Sequence, residues 1–112
     1  MKSGWQDKVI KAYPNIEFLD PRTHGLTSSM EYTEEDMHMI EEADVVFAHM
    51  EESNPGGYAL GLEVGYAIGL KKPVVWSDDL SEQRGRYFNM LRCAANIRAS
   101  DLDTAITVLG SL

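Results

Sequence analysis

The run DVVFAHM at residues 44–50 is apolar on both of its faces, and no other feature of the sequence restricts the fold so strongly. A strand buried on both sides belongs in a parallel sheet between two helical layers. Parallel neighbours cannot be joined by a tight turn and need a crossover of roughly a dozen residues or more, usually a helix. The sequence supplies one: YALGLEVGYAIGL at 58–70 has helical length and is followed by PVVW at 73–76, which reads as the next strand. The chain is therefore expected to be an α/β layered protein.

The remaining text keeps the same alternation. Residues 4–13 place Trp5, Val9, Ile10 and Tyr13 on one helical face, and Pro14-Asn15 stops that helix. IEFLD at 16–20 reads as a strand, and the polar stretch 21–32 as a long loop at its carboxyl end. Thr33 is the expected N-cap of a helix running to Ala43, with Glu34, Glu35 and Asp36 in its first turn, where the helix dipole favours negative charge. After EESNPGG and the glycine-rich helix, SDDLSEQRG is a loop, 86–96 a helix, 97–99 a weak strand, and Asp101 the cap of a last helix through Leu109. The order is αβαβαβαβα. Such units ordinarily start with a strand, whereas this chain starts with a helix. Either a strand precedes it, or the sheet closes by pairing the neighbours of that strand directly.

A length of 112 residues suits one domain, 1–112. No window holds the ~20 apolar residues of a bilayer span, MKSGWQDKV is not a signal peptide, and the single cysteine, Cys93, has no disulfide partner. A cytoplasmic protein off the membrane is expected. The net charge of −8 repels polyanions and so argues against duplex nucleic acid as a partner. One small anion at a helix N-terminus or an arginine remains compatible with that charge.

Gly57, Gly61, Gly65 and Gly69 recur every four residues, which leaves one helical ridge without side chains. Each interior glycine costs about 1 kcal/mol relative to alanine, so a close neighbour along that ridge is expected. Glu63 is the one carboxylate on this helix, flanked by Leu62 and Val64. A solvated helix glutamate is the ordinary reading. On a helix apolar around most of its circumference, however, the carboxylate is expected to point into a cleft, where desolvation raises its basicity. Ligands of open parallel sheets bind outside the carboxyl ends of the strands. Asp20, the 49–57 loop and Asp36 are all assigned to that edge. A partly buried carboxylate and a second acid with different surroundings suit a nucleophile and a proton donor around a glycosidic bond.

The segments DMHMIEEADVVFAHM and GGYALGLEVGYAIGLKKPV resemble the nucleoside 2-deoxyribosyltransferase family, which includes relatives that hydrolyse nucleotide N-glycosidic bonds; the likeness spans roughly residues 5–92. It implies a flavodoxin-like, three-layer, doubly wound parallel sheet, here without the usual first strand. It further implies that Glu63 is the nucleophile attacking the anomeric carbon, with a covalent glycosyl-enzyme, and that Asp36 sits near the base and assists its protonation. Helix capping is the competing role for Asp36. Asn89 resembles a residue lent to the neighbouring subunit's sugar site, which implies a homodimer or higher oligomer. Asp20, Ser53, Asn54 and Gly57 lie where sugar or phosphate contacts are expected, and Arg22 is the candidate for a 5′-phosphate, against a plain surface arginine. Tyr66, like Tyr32, either stacks on a base or packs in the core. The sequence departs from the family in having no tyrosine-bearing strand before Trp5 and in placing Gly57 where Asp or Ser is usual.

No metal or cofactor is expected: His24, His38 and His49 lack ligand spacing. Cys93 is expected on a core face, and GGYALG carries neither the lysine of a phosphate cradle nor a dinucleotide pattern. Met30, Met37, Met39 and Met50 fall near the proposed cleft edge, so that at least one could line a base pocket. The substrate is then a small nucleoside or nucleotide rather than a nucleic acid polymer. The competing readings are a nucleotide-binding or sensor module impaired in catalysis, and a structural, receiver-like domain with Glu63 in solvent.

Overall fold

A computed structural model describes residues 4–23, 25–53 and 58–112. The two expected central strands form as Val46–Met50 (β1) and Val74–Asp78 (β2), and Ile97–Arg98 (β3) completes a three-stranded parallel sheet in the order β1-β2-β3. β1 pairs Val46 with Val74 and Met50 with Asp78; β2 pairs Val75 with Ile97. The helices are Trp5–Ala12 (α1), Ser29–Glu42 (α2), Tyr58–Gly69 (α3), Glu82–Gly85 (α4), Asn89–Ala94 (α5) and Leu102–Leu109 (α6), with 3-10 turns at Pro21–Thr23 and Arg86–Phe88. None of them is long and apolar enough to cross a membrane.

Alternation along the strands divides the core in two. Ala48, Met50, Val74 and Trp76 face one way and meet Ile40 of α2, Val64 and Ala67 of α3, and Leu91 of α5. Phe47, Val75 and Ile97 face the other way, toward Ala99 and Ala105. Both faces are thus covered, which is why these strands read as continuous apolar runs. Across the second face α1 joins α6: the Tyr13 hydroxyl donates to the Ile106 carbonyl and Lys8 pairs with Asp103. The fold is α/β, with the layering and parallel sheet of a flavodoxin-like domain.

Several expectations need correction. IEFLD at 16–20 is not a strand: it runs irregularly from the turn after α1 to Asp20 and joins no sheet among the described residues. Helix α2 starts at Ser29 rather than after Thr33, because Met30, Glu31 and Tyr32 offer no break to helix propagation. Thr33 lies inside it and its hydroxyl donates to the Ser29 carbonyl. Asp36 consequently sits in the middle of α2, two turns from its amino terminus, and not at the helix start. The segment expected as one helix over 86–96 is a 3-10 turn followed by the short α5, and SDDLSEQRG contains the end of β2 and the four-residue α4, capped by Ser81. Cys93 is exposed rather than buried. Asp101 does cap α6, accepting from the Thr104 amide at 2.8 Å.

The glycine ridge also differs from expectation. A methyl at Gly61 would rest on Leu91 at 3.5 Å, but at Gly65 and Gly69 it would meet nothing within 4 Å. Within one chain the ridge therefore faces open space along most of its described length. Gly57 lies outside the described residues.

Candidate active site

Where the 16–20 segment fails to pair with β1, a cleft of about 640 Å³ opens. It draws residues from α1, from 16–21, from α2, from the residues leading into β1, from α3 and from the carboxyl terminus. Its apolar lining includes Trp5, Phe18, Met39 and Phe47, and its acidic lining includes Asp20, Asp36 and Glu63.

Each carboxylate reaches the cleft for a different local reason. On α3, Val64 and Ala67 are fully buried against the sheet, and Glu63, one position from Val64 and four from Ala67, is carried into a half-buried position where α3 packs on α2. Burial, reinforced by the negative charge of Asp36, pushes the Glu63 carboxyl up from its ordinary 4.5 to about 7. Two acids on facing helices thus sense each other, which is the arrangement that separates protonation states near neutral pH. Asp36 is also half-buried, one helical turn before the buried Ile40.

Asp20 is 8% exposed and is held by Arg22. The guanidinium donates to Asp20 through Nε at 3.0 and 3.1 Å and through Nη2 at 2.7 Å, and the Arg22 backbone amide donates at 3.0 Å. Burial opposes ionisation of Asp20, but these donors outweigh it and hold its carboxyl below the usual value. Arg22 also donates to Asp7 at 2.8 Å, so its charge is shared between two carboxylates, and it does not line the cleft.

The other candidates are spread over the molecule. Tyr66 donates to Glu41 at 2.6 Å, bridging α3 to α2. Asn89 is exposed at the start of α5, accepting from Arg92 at 3.1 Å. Ser53 is an exposed turn residue, and neither it, Tyr66 nor Asn89 lines the cleft. Asn54 and Gly57 lie outside the described residues. Of the methionines, Met39 lines the cleft, Met50 is fully buried in the core, Met37 packs against that core and Met30 is 76% exposed. The structure thus brings Glu63, Asp36 and Asp20 to one cavity and leaves Arg22, Tyr66, Asn89 and Ser53 outside it.

Sequence reasoning did not identify the aromatic side of this cavity. Trp5 stands 5.8 Å from both Phe47, at 32°, and His49, at 66°. His49 in turn shares a 2.7 Å hydrogen bond with the buried Ser77 on the adjacent strand, and burial lowers its basicity. Helical periodicity put Trp5 on an inward face, but only the sheet position of Phe47 shows what that face meets. At the carboxyl end of β2, Asp78 is similarly tied: burial opposes its ionisation, yet Arg92 at 2.6 and 2.8 Å and the Trp76 indole at 2.8 Å keep it ionised. Among the described residues no group of three or more His, Cys, Asp or Glu could hold a metal ion.

Comparison with known proteins adds two findings. A family model described as nucleoside 2-deoxyribosyltransferase matches residues 8–101. The CMP N-glycosidase BcmB of Clostridium botulinum superposes with a TM-score of 0.63 and 15% sequence identity, over 96% of this chain and 87% of that one. At that identity the likeness speaks for the fold. No curated protein sequence matches the chain.

Proposed function

From the premise that the chain belongs to the nucleoside 2-deoxyribosyltransferase family, matched over residues 8–101, we propose that it cleaves or transfers at the N-glycosidic bond of a nucleoside, with Glu63 as nucleophile. The observation that carries the reading is Glu63 itself: a half-buried carboxylate, poised at about 7, lining a cleft together with Asp36.

The chemistry balances as follows. Glu63 gives up the proton that it retains near neutrality, and that proton passes by way of Asp36 to the departing base. The freed carboxylate oxygen bonds to C1′ while the C1′–N bond breaks, its electron pair leaving with the base. The products are a glycosyl ester on Glu63 and a protonated, neutral base. Water or a second base then attacks C1′ and returns the proton and the carboxyl group to their starting state. A partner subunit closing the site with Asn89 would exclude water and favour transfer, whereas an open site favours hydrolysis.

The charge of the cleft supports an uncharged nucleoside over its 5′-monophosphate. No lysine or arginine lines it among the described residues, and Arg22 is already engaged by Asp20 and Asp7. A phosphate would enter an acidic cavity without a counter-charge.

The test is chromatographic. Wild-type protein is incubated with deoxynucleosides, ribonucleosides and their monophosphates, with and without adenine, and free base is followed. Release from a nucleoside, a deoxyribosyl adduct on the intact protein, and loss of both in Glu63→Ala with binding preserved are the expected results. Base release that persists in Glu63→Ala would refute the nucleophile assignment. Binding without release from any substrate would favour the sensor reading.

A further inference from the structure

Against the carboxyl end of β2, Arg92 of α5 has its guanidinium held from three directions. It donates to Asp78 through Nε at 2.8 Å and Nη2 at 2.6 Å, a two-pronged contact that fixes the plane of the group. Asp78 is itself anchored in the core, since it also accepts from the indole of the fully buried Trp76 at 2.8 Å and from the Leu80 amide at 3.2 Å. Gly85 closes the second side. A β-carbon there would fall 2.6 Å from Nη2, 2.9 Å from Nη1 and 3.1 Å from Cζ of Arg92, although Gly85 has an ordinary helical φ of −59°. Its missing side chain therefore makes room for the guanidinium and serves no unusual backbone conformation.

The third contact is Asn89, one turn earlier on α5, whose Oδ1 accepts from Nη1 at 3.1 Å. A guanidinium has donors and no acceptor, so only the oxygen of the Asn89 amide can face it, and the NH2 group is turned the other way. Asn89 is exposed, and among the described residues no group accepts from that NH2. Without Arg92 the amide would turn about its last torsion, whose profile is broad and roughly two-fold, and present oxygen or nitrogen alike. With Arg92 in place, the surface displays a donor of fixed direction.

We propose that Arg92 is a positioning residue: through the chain Asp78–Arg92–Asn89 it locks the Asn89 NH2 group outward, so that Asn89 donates to an oxygen of the sugar held by a neighbouring protomer. This rests on the reading that Asn89 completes a neighbour's site. A locked donor selects an acceptor oxygen and loses less conformational freedom on binding than a turning amide does. Its contribution falls on substrate binding and is read in KM.

The experiment compares the wild type with Arg92→Lys, Gly85→Ala and Asn89→Ala. Lysine keeps a charge for Asp78 but lacks the planar fork needed to hold both partners. Alanine at Gly85 leaves every hydrogen-bonding group in place and displaces the guanidinium. The side-chain amide order parameter of Asn89, from NMR relaxation of the full chain, should exceed about 0.8 in the wild type and fall below about 0.6 in Arg92→Lys and Gly85→Ala. KM for nucleoside cleavage should rise about fivefold in all three variants, the worth of one neutral hydrogen bond, while kcat changes by less than about twofold. Arg92→Lys combined with Asn89→Ala should be no worse than Asn89→Ala alone, because both remove one interaction. An order parameter unchanged by both Arg92→Lys and Gly85→Ala overturns the proposal, and so does additivity in the double variant, the result of a merely structural role. Base release by the wild type with an unchanged KM in Asn89→Ala also overturns it and leaves the glycosidic reading standing. No base release by the wild type refutes that reading instead, and the order parameter then decides whether Arg92 positions Asn89.

Discussion

Glu63→Gln should make the protein more stable at neutral pH while removing its proposed activity. An ionised Glu63 is penalised first by burial and then by Asp36, so its carboxyl titrates at about 7 rather than 4.5. The folded chain holds this proton more tightly than the unfolded chain. The associated stability is fully present below about pH 4.5 and is lost as the pH rises through about 7. At ~1.4 kcal/mol per pH unit the full penalty is roughly 3 kcal/mol. Because the side chain keeps some contact with water, about 2 kcal/mol is the working figure. Glutamine, neutral at every pH, escapes it. Urea unfolding of both proteins between pH 4 and pH 8 should give nearly equal stabilities at the acid end and a difference of about 2 kcal/mol at pH 8. In a chain of this length that corresponds to a shift in Tm of roughly 8 °C. A difference independent of pH would refute the reasoning, since it would mean that Glu63 titrates alike in the folded and unfolded states. Asp36→Asn should recover only a minor part of the gain, because burial is the larger cause.

Other consequences can be measured directly. Arg92→Ala removes both charged donors from Asp78, whose side chain is 9% exposed, and should cost about 3 kcal/mol in urea unfolding; a loss below 1 kcal/mol would mean that Trp76 and Leu80 suffice to hold it. Gly65→Ala adds a methyl in open space and should stabilise the isolated chain by up to about 1 kcal/mol by thermal unfolding. Destabilisation, or a drop in oligomeric state by light scattering, would instead reveal a neighbour packed on the glycine ridge. Arg22→Ala should leave the ratio of kcat/KM for a nucleoside to that for its monophosphate unchanged, because its charge is already committed to Asp20 and Asp7. A selective loss on the monophosphate would place Arg22 at a phosphate.

The element order was largely legible because the signals that make it are local. Helix α3, the three strands and the Asp101 cap follow from periodicity and from side chains within a few residues of one another. The apolar surroundings of Glu63 are equally local, and they sufficed to mark it as an unusual carboxylate. The family likeness was legible in the same two segments, DMHMIEEADVVFAHM and GGYALGLEVGYAIGLKKPV, which fall inside the matched 8–101.

Features that depend on remote chain segments were not legible. IEFLD has the composition of a strand, yet a strand exists only where a neighbour's backbone lies within hydrogen-bonding distance, and among the described residues no strand lies beside 16–20 in that way. Cys93 follows helical spacing into a core that the short α5 does not present to it. For Arg22 the sequence left a phosphate ligand and a plain surface arginine both open, and its engagement by Asp7 was not legible because that carboxylate is fifteen positions away in sequence. What the sequence determined by itself was which residues could form helices, strands and a shielded acid. Which edges pair, which charges neutralise each other and where a cavity opens were decided only by tertiary structure, because those energies arise between groups that the chain brings together after its local structure is set.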